Sequence, residues 1–176
     1  MTFDDPRVQA VFEAYQARHR EDLARMRELG PAGFAHRDEF LLPVGEEAGW
    51  FLHALIVARA PARILELGTS YGYSTLFLAD AARRAGAQVV TMELAGHKQD
   101  HARTMLERAG LAGHVEFRCG DALDLLAADA AAGGTWDFVL LDIWKELYEP
   151  CLEAFYPQLT DEAVICSDNM IDPPAH

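Results

Sequence analysis

A chain of 176 residues with 51% hydrophobic and 24% charged residues has the composition of a folded globular protein and can bury a substantial core. Its 28 acidic side chains outnumber the 15 lysines and arginines, and the formal net charge of −13 disfavours binding to a nucleic-acid backbone or an anionic membrane surface. No apolar run reaches membrane-spanning length, the acidic start Met-Thr-Phe-Asp-Asp-Pro lacks a signal segment, and three scattered cysteines suit a reducing, cytoplasmic setting rather than a disulfide framework.

The first third predicts helices. Asp5 can cap a helix whose first position is Pro6. Val8, Val11, Phe12, Tyr15, Leu23 and Met26 recur at helical spacing until Gly30-Pro31 stops the run. A second helix is expected from about Glu46 to Arg59, ended by Pro61. The apolar stripe of the first helix serves either its own core or a homodimer interface.

Beyond Pro61 strands and helices alternate. Ile64–Leu67, Gln88–Met92, Val115–Cys119, Trp136–Leu141 and Ala163–Ser167 read as strands. Tyr73–Arg84, His97–Ala109, Ala122–Ala130 and about Glu146–Phe155 read as the helices between and after them. This alternation predicts a doubly wound parallel α/β sheet. One domain over residues 1–176 is expected, helical over 1–60, with an α/β core over 61–176. Cys119 and Cys166, in predicted strands, read as core thiols.

Ligand sites in such sheets lie at the carboxyl ends of the strands. Asp142 follows the fourth strand and Asp168-Asn169 the fifth, with Lys145 three residues past Asp142. Hard oxygen donors beside an amine point to a divalent cation that binds a hydroxylated substrate, and to a base that takes its proton. Glu66-Leu-Gly68-Thr-Ser70-Tyr-Gly72-Tyr-Ser74 joins the first strand to its helix. Gly68 is expected to let the backbone approach a ligand, and Gly72 to open the helix. The pattern lacks the pyrophosphate-cradling Gly-x-Gly-x-x-Gly and the Gly-Lys-Ser/Thr of a P-loop. Glu93 ends the second strand, where a carboxylate can take ribose hydroxyls, and Gly120-Asp121-Ala122 follows the third, where an adenine edge would lie. Ribose and adenine sites without a phosphate site imply S-adenosylmethionine, whose sulfonium suits an acidic pocket. His97 and His101 have zinc-pair spacing, but no general-base glutamate accompanies them, and no metal is assigned there. Asp172-Pro173-Pro174-Ala175 reads as a loop.

On these motifs the chain resembles class I S-adenosylmethionine-dependent methyltransferases, and within them the metal-dependent catechol O-methyltransferase group, over roughly Phe40 to Pro173. The carrying segments are Val44-Gly-Glu-Glu-Ala-Gly49, Glu66 to Ser74, Asp142-x-Trp144-Lys145-x-x-Tyr148 and Asp168-Asn169. The resemblance implies a Rossmann-like methyltransferase fold. The loop residues Glu66, Gly68, Ser70, Gly72 and Ser74 would hold the cofactor with Val44, Glu93, Gly120, Asp121, Ala122, Asp142 and Trp144. It further implies Mg²⁺ or a similar ion on Asp142, Asp168 and Asn169, and Lys145 as general base. Phe40, Leu42, Lys145, Asn169 and Pro173 would contact a small hydroxylated, catechol-like substrate. Phe40 replaces a tryptophan of the animal catechol enzymes.

Relatives continue past this point with a helix and a final β-hairpin, whereas this chain stops at His176. A sheet lacking that hairpin, with an exposed edge, is therefore expected, and the chain is expected to be a fragment or to lack its tail. The acidic residue that helps hold catechol in the family has no counterpart. Two other readings stay open: a methyltransferase for another nucleophile, and a cofactor-binding or assembly module without catalysis.

Overall fold

The structure, a computed structural model, describes residues 1–30, 36, 38–168 and 170. Asp5 starts helix α1 (Pro6–Leu29): its carboxylate accepts the Arg7 backbone N–H at 2.8 Å, and Pro6 occupies a first-turn position where its missing N–H costs nothing. Val8, Val11, Phe12 and Tyr15 are buried along one face, so the first half of the apolar stripe packs within the chain, while Leu23 and Met26 are only half-buried. Helix α2 (Glu46–Arg59) ends at Ala60, a left-handed residue just ahead of Pro61.

Strand and helix then alternate as β1 (Arg63–Leu67), α3 (Tyr73–Ala85), β2 (Gln88–Glu93), α4 (Gly96–Arg108), β3 (Val115–Cys119), α5 (Ala122–Ala131), β4 (Trp136–Leu141), α6 (Tyr148–Phe155) and β5 (Leu159–Ser167). The five strands form one sheet in the order β3-β2-β1-β4-β5, every pairing parallel. Alternation along the strands feeds two cores. Ile64, Val89, Phe138 and Leu140 face a layer that includes Phe12, Trp50, Phe77 and Leu106. Leu65, Leu67, Val90, Met92, Val139 and Leu141 face Leu126 of α5 and Cys151 and Phe155 of α6. Strands buried on both faces are what parallel crossovers require.

Two boundaries differ from the sequence reading. The helix expected from Glu146 opens instead as a 3-10 turn, Lys145–Leu147, and becomes α-helical at Tyr148. Pro150 has no N–H for an i−4 bond, so it is accommodated only in the first turn of an α-helix. Strand β5 begins at Leu159, four residues ahead of the expected start, because Thr160-Asp161-Glu162 is a polar stretch on an outer strand. Cys119, expected in the core, is exposed: it ends β3, the other outer strand.

The register decides what the fold presents. Leu67 pairs with Met92 and with Leu141, Met92 with Arg118, and Leu141 with Ser167. The next row across the sheet is therefore Cys119, Glu93, Gly68, Asp142 and Asp168. The strand order reverses between β1 and β4, the switch point at which open α/β sheets bind ligands. Among the described residues no helix is long and apolar enough to cross a membrane.

Candidate active site

The turn after β1 is built around a carboxylate that never reaches solvent. Glu66 is fully buried and accepts hydroxyl protons from Ser74 and Thr75, at the start of α3, and from Thr91 on β2, each at 2.6 Å. Burial pushes its carboxyl up to about 6, against the pull of the three hydroxyls. Glu66 and Ser74 thus fasten the turn from beneath. Gly72 also faces inward: its φ is +90°, and a Cβ there would stand 2.7 Å from the Ala102 Cβ and 2.9 Å from the Tyr15 hydroxyl.

Gly68 is also held close to a neighbouring strand end. A Cβ at this position would lie 1.8 Å from the carbonyl oxygen of Asp142, so the glycine admits the end of β4. The Gly68 and Thr69 N–H groups donate to the Met92 carbonyl at 3.0 and 3.1 Å, and the Asp142 N–H to the Leu67 carbonyl at 2.9 Å. The ends of β2, β1 and β4 are thereby locked side by side.

A cavity of about 530 Å³ opens above this row, within the range of small-molecule sites. Its walls are Asp38, Phe40, Leu42 and Pro43 before α2; Gly68 and Ser70; Met92, Glu93, Leu94 and Lys98; Gly120, Asp121 and Ala122; Asp142, Ile143, Trp144, Lys145 and Leu147; and Asp168. Val44 and Ser74 line a smaller adjoining recess with Gly68, Ser70 and Asp142. Of the proposed cofactor residues, only Glu66 and Gly72 touch neither space. Asn169 and Pro173 lie outside the described residues.

Each end of the cavity has its own chemistry. On the β2–β3 side, Glu93 accepts the Ser70 N–H at 2.8 Å on one carboxylate oxygen and the Ala95 N–H at 2.9 Å on the other. The carboxylate is held rigidly, with lone pairs left for hydroxyl donors in the cavity. Asp121 caps α5, accepting the Leu123 and Asp124 N–H groups at 2.9 and 3.3 Å on one oxygen. On the β4–β5 side, Asp142 is pushed up to about 7, first by burial, then by the charges of Asp168 and Glu66. Tyr148 donates its hydroxyl to the Asp168 carbonyl at 2.8 Å and so fixes the end of β5. Trp144 and Lys145 are exposed on the same wall. The five carboxylates of the cavity wall face only two lysines, a field that favours a cation.

Among the described residues no three His, Cys, Asp or Glu side chains group closely enough to hold a metal ion. Asp142 and Asp168 remain a pair of hard oxygen donors whose mutual repulsion a cation would relieve, which fits a divalent ion in kind. His101 stands edge-on to Tyr71 and 3.3 Å from the Arg18 guanidinium, an environment for a neutral ring rather than a ligand. Sequence reading missed Asp38, Pro43, Met92, Leu94, Lys98, Ile143 and Leu147 as cavity residues: the first five belong to no recognisable motif, and Ile143 and Leu147 fill unspecified positions of the Asp142-to-Tyr148 motif.

A family model described as a methyltransferase domain matches residues 65–170, more than half of the chain. The chain belongs to the methyltransferase-domain family. The catechol O-methyltransferase of Mycobacterium tuberculosis is 38% identical over 143 residues, covering 80% of this chain and 64% of that protein. A probable O-methyltransferase of the same organism is 35% identical over 150 residues, covering 81% and 64%. The O-methyltransferase TomG from Streptomyces achromogenes, solved in complex with SAM, superposes with a TM-score of 0.73 at 27% identity, covering 96% of this chain and 67% of that one. This methyltransferase-domain chain thus spans less than two thirds, 64%, of the length of either of the two Mycobacterium tuberculosis relatives. The resemblance to class I methyltransferases of the catechol O-methyltransferase group, and the Rossmann-like fold it implies, are borne out by these likenesses.

Proposed function

We propose that the chain carries out S-adenosylmethionine-dependent O-methylation of a small, catechol-like hydroxylated molecule, with a divalent cation at Asp142, Asp168 and Asn169. The observation that carries this reading is the single cavity bounded by a ribose-competent carboxylate, Glu93, at one end and by Asp142, Lys145 and Asp168 at the other. The likeness to TomG solved with SAM, and to a catechol O-methyltransferase, supports it.

When bound, the cofactor would supply a methyl group on a cationic sulfur, and the divalent ion a charge that favours an oxyanion. The chain's own residues do the rest. Glu93 accepts ribose hydroxyls, while Gly120, Asp121 and Ala122 border the adenine and Trp144 packs near it. Gly68, Ser70 and Val44 border the amino-acid end, beside the β1–β4 switch point. Phe40 and Leu42 wall the acceptor side, Phe40 buried and Leu42 half-exposed at the mouth. A phenol has a pKa of about 10 and is little ionised at neutral pH. Lys145 Nζ is the group that takes its proton. Holding two reactants in one cavity then contributes up to about 7–11 kcal/mol in well-oriented systems.

The experiment is methyl transfer from S-adenosylmethionine to a catechol, with Mg²⁺ and with EDTA. Transfer that stops on chelation supports the whole reading. Transfer that persists in EDTA removes the metal. Cofactor binding with no transfer to any member of a phenol, hydroxamate and sugar panel makes the chain a binding module.

A further inference from the structure

Tyr71 lies in the turn after β1, between Ser70 and Gly72, and no role in the proposed chemistry falls to it. Its ring is buried and has the Arg18 guanidinium over it at 3.8 Å and the Lys98 ammonium at 5.6 Å. Its carbonyl accepts the Tyr15 hydroxyl at 2.7 Å, and its own hydroxyl donates to the Asp38 carbonyl at 3.1 Å. The Asp38 carboxylate in turn receives Lys98 Nζ at 3.1 Å. One ring therefore joins the turn after β1, the first turns of α4 and the strap that precedes α2.

That strap is a wall of the cavity. Asp38, Phe40, Leu42 and Pro43 line it, and so does Lys98. The downstream part of the strap is anchored in the core by Leu41, which is buried and whose N–H donates to Asp22 at 2.8 Å. Asp38 is different: its side chain is 69% exposed, and that of Lys98 only 12%. The ion pair spans the rim between strap and α4, with the ammonium tucked inside and the carboxylate outermost.

We propose that Tyr71 and the Asp38–Lys98 pair form a clasp that ties the strap to α4 across the rim of the cavity and sets how fast a bound nucleoside leaves. The proposal rests on reading this cavity as the S-adenosylmethionine site. Tyr71 is a positioning residue: it acts through Asp38 and the turn, not on reacting atoms. Such a clasp gives release a dependence on salt, because the ion pair lies at a rim where dissolved ions screen it.

The test is the dissociation rate of S-adenosylhomocysteine from the full chain, by stopped-flow at low and high salt. Tyr71→Phe removes only the hydroxyl, and Lys98→Met only the charge. Each is expected to speed release roughly three- to tenfold, the scale of one modest polar contact. Release from wild type should quicken with salt, Lys98→Met should lose most of that response, and Lys98→Arg should restore slow, salt-sensitive release. A general loosening of the fold would not follow the charge in this way. Wild-type rates in both Tyr71→Phe and Lys98→Met overturn the clasp and leave the cofactor site standing. A wild-type chain that takes up no S-adenosylhomocysteine overturns the cofactor reading itself, and the clasp with it.

Discussion

The carbonyl oxygen of Asp142 occupies the space that a side chain on Gly68 would need, 1.8 Å from an ideal Cβ. The glycine just after the first strand and the acid just after the fourth are thus fitted to each other across the switch point. Gly68 also has a φ of +100°, which L side chains resist. Gly68→Ala is expected to destabilise the fold by more than about 3 kcal/mol, since clash and backbone strain add. Chemical denaturation read by circular dichroism measures this. A variant within about 1 kcal/mol of wild type would mean that β1 and β4 part easily at this point.

Glu66 should leave a pH signature. Burial raises its carboxyl from 4.5 to about 6, so between those values the folded chain holds a proton that the unfolded chain has lost. Stability therefore falls as pH rises through that window and levels off above it, as far as this group is concerned. Asp142, pushed up to about 7, adds a slope of the same sign that reaches further. In melts between about pH 4 and 7, Glu66→Gln should lose the lower part of the slope, worth about 2 kcal/mol, and keep the part due to Asp142. An unchanged slope would show that Glu66 titrates normally.

Asp121 has two separable duties. As the cap of α5 it contributes about 1 kcal/mol, which Asp121→Ala should forfeit and Asp121→Asn should largely retain. As part of the donor wall it should matter to nucleoside affinity in both variants. Thermal melts paired with calorimetric titration of S-adenosylhomocysteine separate the two. Equal stability in Asp121→Ala and wild type would remove the capping role.

Lys145→Ala should reduce turnover by roughly 10²- to 10⁴-fold, the range for loss of a positioned base, while nucleoside binding survives. Single-turnover transfer at saturating cofactor reads the first, and titration the second. Full turnover in the variant would take the proton-acceptor role away from Lys145.

Asp142→Asn should abolish any stabilisation by Mg²⁺. Wild type is expected to melt higher with excess Mg²⁺, because an ion bound only by the folded state adds to stability by mass action. A magnesium response that survives in Asp142→Asn would move the ion elsewhere.

Most of the sheet could be read from the chain, because strands buried on both faces leave apolar runs such as Phe138–Leu141. The ends of these runs also marked Glu93, Asp142 and Asp168, since parallel strands put their carboxyl ends on one edge. What escaped was whatever depends on contacts between distant segments. Nothing local in Glu66-Leu-Gly68 says that the acid points at Ser74, Thr75 and Thr91 rather than at a ligand. Nothing in the spacing of Asp38, Tyr71 and Lys98 brings them together. Polar Thr160-Asp161-Glu162 concealed the start of β5 because an outer strand need not be apolar, and the exposure of Cys119 follows from the same outer position.

The strand order also bears on how the molecule comes into being. Ile64 pairs with Val89 on one side and with the far more distant Phe138 on the other. The neighbouring ladder closes a short loop, whereas the one beside it must wait for most of the chain and gathers its ends at a greater entropic cost. Gly68 and Asp142 meet along that ladder, so the floor of the cavity is complete only once the long loop has closed.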